Sequence, residues 1–138
     1  MEKLLKIPYN VFNDWNQLQQ FLERKGNPRY ELVGDVKLSK RKDIFDLGNL
    51  VRVYGDLNLY ISSIQSLGNL EYVGGDLNLN ETPIQSLGAL EYVGDDLDLR
   101  DTPIQSLGNL KYVGEEIWLS DDHQIPQEEL NKFNHTIW

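Results

Sequence analysis

A 20-residue period runs through most of this 138-residue chain and limits what it can fold into. "YVGGDLNLNETPIQSLG" at 72–88 returns as "YVGDDLDLRDTPIQSLG" at 92–108, and a fainter "VYGDLNLYISSIQSLG" stands at 53–68. In register, Leu47, Leu67, Leu87 and Leu107 coincide, as do Gly48, Gly68, Gly88 and Gly108. Val53, Val73, Val93 and Val113 form a further column, and Leu57, Leu77, Leu97 and Ile117 another. Leu59, Leu79, Leu99 and Leu119 follow, with Ile64, Ile84 and Ile104. A degenerate copy, "LVGDVKLSKRKDIFDLGNL" at 32–50, carries one extra residue in its loop. A fixed period near 20 means a solenoid, because one such unit cannot bury its apolar edge without neighbours stacked on it.

Within a unit, "DLNLN" alternates, so Leu77 and Leu79 point one way while Asp76, Asn78 and Asn80 point the other. This predicts a short strand with one buried face. Thr-Pro then turns the chain. "IQSLGALEYV" places Ile84, Leu87, Leu90 and Val93 at steps of three, which suits a 3₁₀-like or irregular return segment. Stacked about 4.8 Å apart, the strands pair as a parallel sheet. Strands are expected near 36–38, 57–59, 77–79, 97–99 and 117–119. Gln65, Gln85 and Gln105 suggest a side-chain hydrogen-bond ladder, and Tyr72, Tyr92 and Tyr112 a stack on the return side.

The ends of a solenoid must hide an open core. "NDWNQLQQFLERKGNP" at 13–28 reads as an amphipathic helix with Asn13 as its cap, Trp15, Leu18 and Leu22 on one face, and Gly26 at its end. "IPQEELNKFN" at 125–134 has Pro126 at a helix start and Leu130 and Phe133 at an i, i+3 spacing. The expected organisation is one domain: an N-terminal helical cap at 1–31, about five coils at 32–119, and a C-terminal cap at 120–138.

Chemistry-bearing motifs are sparse. The absence of cysteine excludes disulfides and thiolate metal sites. No apolar run approaches a membrane span and no secretory leader is visible, so a cytoplasmic protein is expected. His123 beside Asp121, Asp122 and Ser120 reads as a polar turn, without a nucleophile-elbow signature. No catalytic residue, cofactor or metal is expected. The net charge of −9 is uneven. Residues 1–50 hold nine basic and seven acidic groups, whereas residues 51–138 hold four basic and fifteen acidic ones. An acidic half repels nucleic acid backbones and attracts basic surfaces.

The spacing of "LNLNETPIQSLGALEYV" from Leu77 resembles that of a leucine-rich repeat, and the "YVGGDLNL" phrasing is similar to an insulin-receptor-type L domain. The resemblance implies a right-handed coil whose strand face is concave and is the usual partner-binding surface. It departs from the family in one respect: the buried Asn is replaced by Ser62, Thr82, Thr102 and Asp122. Hydroxyls of the threonines are expected to do part of its work.

Outward strand positions form three rows. Asp35, Asp56, Asp76, Asp96 and Glu116 make the first, Lys37, Asn58, Asn78, Asp98 and Trp118 the second, and Ser39, Tyr60, Asn80, Arg100 and Ser120 the third. Stacked carboxylates repel unless something offsets them, and the expected offset is a backbone N–H in the turn that starts each strand. The functional expectation is a non-enzymatic module, monomeric or weakly dimeric, that binds a basic protein. Asp56, Asp76, Asp96, Asp98, Glu116, Asn58 and Asn78 supply its polar surface, and Tyr60, Arg100 and Trp118 its anchors. One version is an inhibitor that fills the groove of a nucleic-acid-binding protein. The alternatives are Ca²⁺ or a small ligand on the carboxylate row, or a purely structural repeat.

Overall fold

The computed structural model describes residues 4–138. Its chain winds as a β-solenoid of about five coils, in which every coil contributes to two parallel sheets. Sheet A runs β1 (Leu5–Pro8), β2 (Tyr30–Val33), β4 (Leu50–Val53), β6 (Tyr72–Val73), β8 (Tyr92–Val93) and β10 (Tyr112–Val113). Sheet B runs β3 (Val36–Lys37), β5 (Leu57–Asn58), β7 (Leu77–Asn78), β9 (Leu97–Asp98), β11 (Ile117–Leu119) and β12 (His135–Ile137). The five strands expected from the "DLNL" motif are the first five of sheet B.

Registers follow the repeat. Val36, Leu57, Leu77, Leu97 and Ile117 lie side by side and are all fully buried. Val53, Val73 and Val93 form the facing column from sheet A. Ile64, Ile84, Leu67, Leu87, Leu70 and Leu90 fill the layer between. The apolar letters recur because each occupies the same slot one coil further on. The extra residue of the first copy falls between Lys40 and Ile44, and β4 takes up the difference with a one-residue slip between Tyr30 and Glu31 that leaves Val51 unmatched.

The return segment takes the irregular of the two expected forms: Gly88, with φ +57°, turns the chain, and Tyr92–Val93 then runs extended. The three-residue spacing of Ile84, Leu87, Leu90 and Val93 is that of a polygonal path with an apolar residue at each side. Once extended chains lie one strand spacing apart, their amides pair, so Gly94 N–H donates to Val73 C=O at 2.9 Å and Gly114 N–H to Val93 C=O at 3.0 Å. The corners after β3, β5, β7 and β9 are left-handed without glycine, at Lys40, Ile61, Glu81 and Asp101. Thr82 and Thr102 hydroxyls donate to the Leu79 and Leu99 carbonyls beside these corners, each at 2.8 Å.

Both ends differ in detail from their expected form. Helix α1 (Trp15–Arg24) is capped by Asp14, not Asn13: the Asp14 carboxylate accepts Gln17 N–H at 2.9 Å, and Gln17 in turn accepts Asn13 N–H. Asp14 wins because it has the extended backbone one residue before the first turn. Gly26 at φ +81° closes the helix, with its N–H on Glu23 and that of Asn27 on Leu22. β1–α1–β2 is a parallel crossover unit, so the N-terminal cap contains a strand as well as a helix. At the other end α2 (Gln127–Leu130) is a single turn, and the chain continues into β12, paired with β11. No helix among the described residues is long and apolar enough to cross a membrane.

Tyr30 is buried where α1 meets β2, and burial pushes its phenol up to about 12. Folding therefore favours the protonated ring. That contribution is fully present below pH 10, the ordinary tyrosine value, and is lost as pH rises through about 12. In urea titrations between those pH values, Tyr30→Phe should lose less stability than the wild type by roughly 2–3 kcal/mol. Equal losses would mean that the phenol ionises freely in the folded chain.

Candidate functional site

The first outward row of sheet B is built by backbone geometry. The Asp35 carboxylate accepts Asp56 N–H at 2.8 Å, Asp56 accepts Asp76 N–H at 2.7 Å, Asp76 accepts Asp96 N–H at 2.9 Å, and Asp96 accepts Glu116 N–H at 3.1 Å. The expected backbone donor is there, and it belongs to the next coil. One oxygen of each aspartate is thus held by an amide dipole, which offsets the repulsion along the row. Glu116 ends the ladder and accepts the Thr136 hydroxyl at 2.7 Å. Asp56, Asp76 and Asp95 are exposed and bring carboxylate oxygens within 4.8 Å of one another. Two of these three already accept an amide, and ordinary solvated carboxylates explain the cluster.

The second row is mostly spent on turns. Asn58, Asn78 and Asp98 accept the N–H two residues on, from Tyr60, Asn80 and Arg100, at 2.9–3.1 Å. These are Asx turns that lead into the left-handed corners. Asp98 is only 6% exposed, because Arg100 lies across it in a bidentate pair with Nε–Oδ1 3.0 Å and Nη2–Oδ2 2.7 Å. The sequence placed Asp98 on the open acidic surface, but a neighbour two residues away neutralises it. Asp98 also raises the Arg100 pKa, chiefly through these hydrogen bonds.

Tyr60, Arg100 and Trp118 are all half-buried on the outer face. The Arg100 guanidinium lies 4.9 Å from the Trp118 ring and 5.3 Å from that of Trp138, and the two indoles meet at 5.6 Å. Trp138 was not singled out from the sequence. Pairing of β12 with β11 aligns Leu119 with Ile137, which puts Trp138 beside Ser120 in the third row. The alternation of "HTIW" is the only signal, at an offset of 18 from "IWLS" instead of the repeat's 20.

Sheet A carries a second surface. Tyr72, Tyr92 and Tyr112 stack at 4.5 and 4.7 Å, nearly parallel, and Tyr54 joins at 5.6 Å with its ring tilted. Lys6 caps the Tyr54 ring at 4.8 Å, and the Tyr54 hydroxyl donates to Glu31 at 2.6 Å. An open groove of about 530 Å³ runs along the stack, edged by Arg52, Glu71, Glu91 and Lys111. Its charges are internally paired: Arg52 with Glu31 at 3.6 Å, Arg29 with Glu71 at 3.5 Å, and Lys111 with Glu91 at 2.7 Å. The facing surfaces of Tyr72, Tyr92 and Tyr112 are taken up by the stack.

The glutamine ladder is a correction. Among the described residues only Gln105 and Gln124 are joined, at 3.2 Å, while Gln65 and Gln85 stand exposed beside Pro83 without a mutual bond. Long solvated amides gain little from ordering. A shorter amide begins such a ladder instead, with Asn69 donating to Asn49 at 3.2 Å and Asn49 to the Asn27 carbonyl. His123 spends its Nδ1 on the Ile125 amide at 3.1 Å, and His135 Nδ1 lies 3.0 Å from the Phe133 carbonyl oxygen. Searches of family models, curated proteins and solved structures give no match to this chain.

Proposed function

We propose that this chain is a non-enzymatic interaction module, a solenoid of the leucine-rich-repeat type, which binds a protein with a basic surface through the outer face and acidic corner of sheet B. The observation that carries the reading is the half-used carboxylate row. Amides of successive coils fix one oxygen each of Asp35, Asp56, Asp76 and Asp96. No lysine or arginine among the described residues pairs with them. Charges held on a rigid scaffold with no internal partner attract and orient a cationic surface. On sheet A, by contrast, Glu31, Glu71 and Glu91 already have cations of their own. Tyr60, Arg100 and Trp118 supply anchor types on the same face.

Replacing Asp56, Asp76 and Asp96 together with Asn tests this cleanly. The amide oxygen can still accept the ladder N–H, so the coil spacing is kept while three charges go. Against a partner captured by the wild type, the variant should associate roughly ten-fold more slowly at low salt and lose most of its salt dependence. Trp118→Ala should instead speed dissociation, by ~2 kcal/mol for a true anchor. A partner whose capture and kinetics ignore both changes would sink the assignment of this face.

A further inference from the structure

We infer that the outer face of Trp138 is a docking point for an arginine side chain of the basic partner, flanked by Asp101, Asp121 and Asp122. The inference rests on the interaction reading above and adds the anchor and the side chain it takes.

The geometry starts at β12. Trp138 N–H donates to the Leu119 carbonyl at 2.7 Å, which fixes the last residue against the end of β11. Its row neighbour is Ser120, too small to fill the space between coils. The indole therefore reaches past it to Arg100 and Trp118. One part of the ring is held by these contacts, and 61% of the residue is still exposed. An exposed tryptophan costs free energy to keep in water, but here it is ordered in advance, and ordering in advance removes part of the cost of binding.

Arg100 shows what this surface accommodates. A guanidinium already rests on both indoles, with a carboxylate behind it. Its charge is neutralised by the bidentate pair with Asp98, so it leaves little field to repel a second cation at the open side of Trp138. Acid also stands around Ser120, the row neighbour of Trp138. The Ser120 hydroxyl donates to Asp101 at 3.1 Å, and Asp101 N–H donates back to the Ser120 oxygen at 2.9 Å, which ties Asp101 to the residue beside Trp138. Asp121 and Asp122 follow directly in sequence. All three are exposed, and none forms an ion pair among the described residues. A guanidinium can stack flat on an indole while its edge donates to carboxylates, whereas an ammonium cannot do both in one plane. The fitting partner is thus arginine-bearing rather than merely basic.

The test uses the whole chain with two probe peptides, nona-arginine and nona-lysine, at about 0.15 M salt, where loose charge attraction is screened. Binding is read by tryptophan fluorescence, since Trp118 and Trp138 are at the surface and Trp15 is buried. The wild type should bind nona-arginine about three- to five-fold more tightly than nona-lysine, in line with an exposed cation–π contact. Trp138→Ala should abolish this preference and leave nona-lysine affinity unchanged. Trp138→Phe, which keeps a weaker ring, should restore part of it. Equal affinities for the two peptides in the wild type, or a preference that survives in Trp138→Ala, would overturn the inference while leaving the acidic-face reading intact. Failure of both peptides to bind would instead bring down the interaction reading itself.

Discussion

Leu77→Ala is expected to lower unfolding stability by ~2–5 kcal/mol, the cost of lost burial plus an unfilled cavity. Leu77 has no solvent exposure and lies between Leu57 and Leu97 in one column. The site has little room to collapse. Its neighbours above and below belong to coils whose spacing is set by backbone hydrogen bonds, with Leu57 N–H on Asp76 and Leu77 N–H on Asp96, both at 2.9 Å. Closing the void would stretch those bonds. The upper part of the range is therefore the expected part. Urea titration followed by circular dichroism gives the number, and its slope gives something more. In a solenoid each coil touches only its neighbours, so a weakened central coil can uncouple the two halves. A lower midpoint with an unchanged slope would mean that the stack still melts as one unit. A change under about 1 kcal/mol would contradict the interior placement of this column.

The columns were legible because a repeat averages out local ambiguity. A single "DLNL" is a weak strand signal, but Val36, Leu57, Leu77, Leu97 and Ile117 at one position can only be a shared interior slot. Sheet A was not legible for the opposite reason. Each of β6, β8 and β10 has two residues, with one valine facing in and one tyrosine facing out. Alternation over two positions is no pattern, and the pairing that makes them strands is a backbone property forced by the spacing of the coils. β1 and β12 lie outside the repeat, so nothing in the period locates them. The acidic row was visible as a row, yet its chemistry depends on a donor in the next coil, which only the coil spacing brings within reach. Asp98 misled for a local reason: its alignment with Asn58 and Asn78 was correct, but Arg100 two residues later covers it. Trp138 was invisible because its environment is created by β12, whose offset from β11 breaks the period.

Gly94→Ala should be strongly damaging, and Gly74→Ala, one coil earlier at the same repeat position, should be nearly silent. The two glycines look equivalent in sequence. Neither has a positive φ, so backbone strain does not separate them. Space does. A Cβ on Gly94 would overlap the Gly74 carbonyl oxygen, which belongs to rigid backbone and cannot rotate away. A Cβ on Gly74 would sit 3.4 Å from the Tyr54 carbonyl carbon, an ordinary contact. To admit the methyl at position 94, the coils must part at this corner. That movement pulls on the Gly94 N–H bond to Val73 and the Asp95 N–H bond to Gly75, at 2.9 and 3.1 Å. It also shifts Tyr92 from its 4.5 Å stack on Tyr72. Overpacking of this kind costs about 3 kcal/mol where nothing flexible can yield. Gly74→Ala should stay within about 0.5 kcal/mol, as for a change that meets no obstacle. Both are read by the same urea titration, with near-ultraviolet circular dichroism reporting on the tyrosine stack. Equal effects of the two substitutions would show that successive coils do not approach as closely at position 94 as the Gly74 carbonyl contact requires.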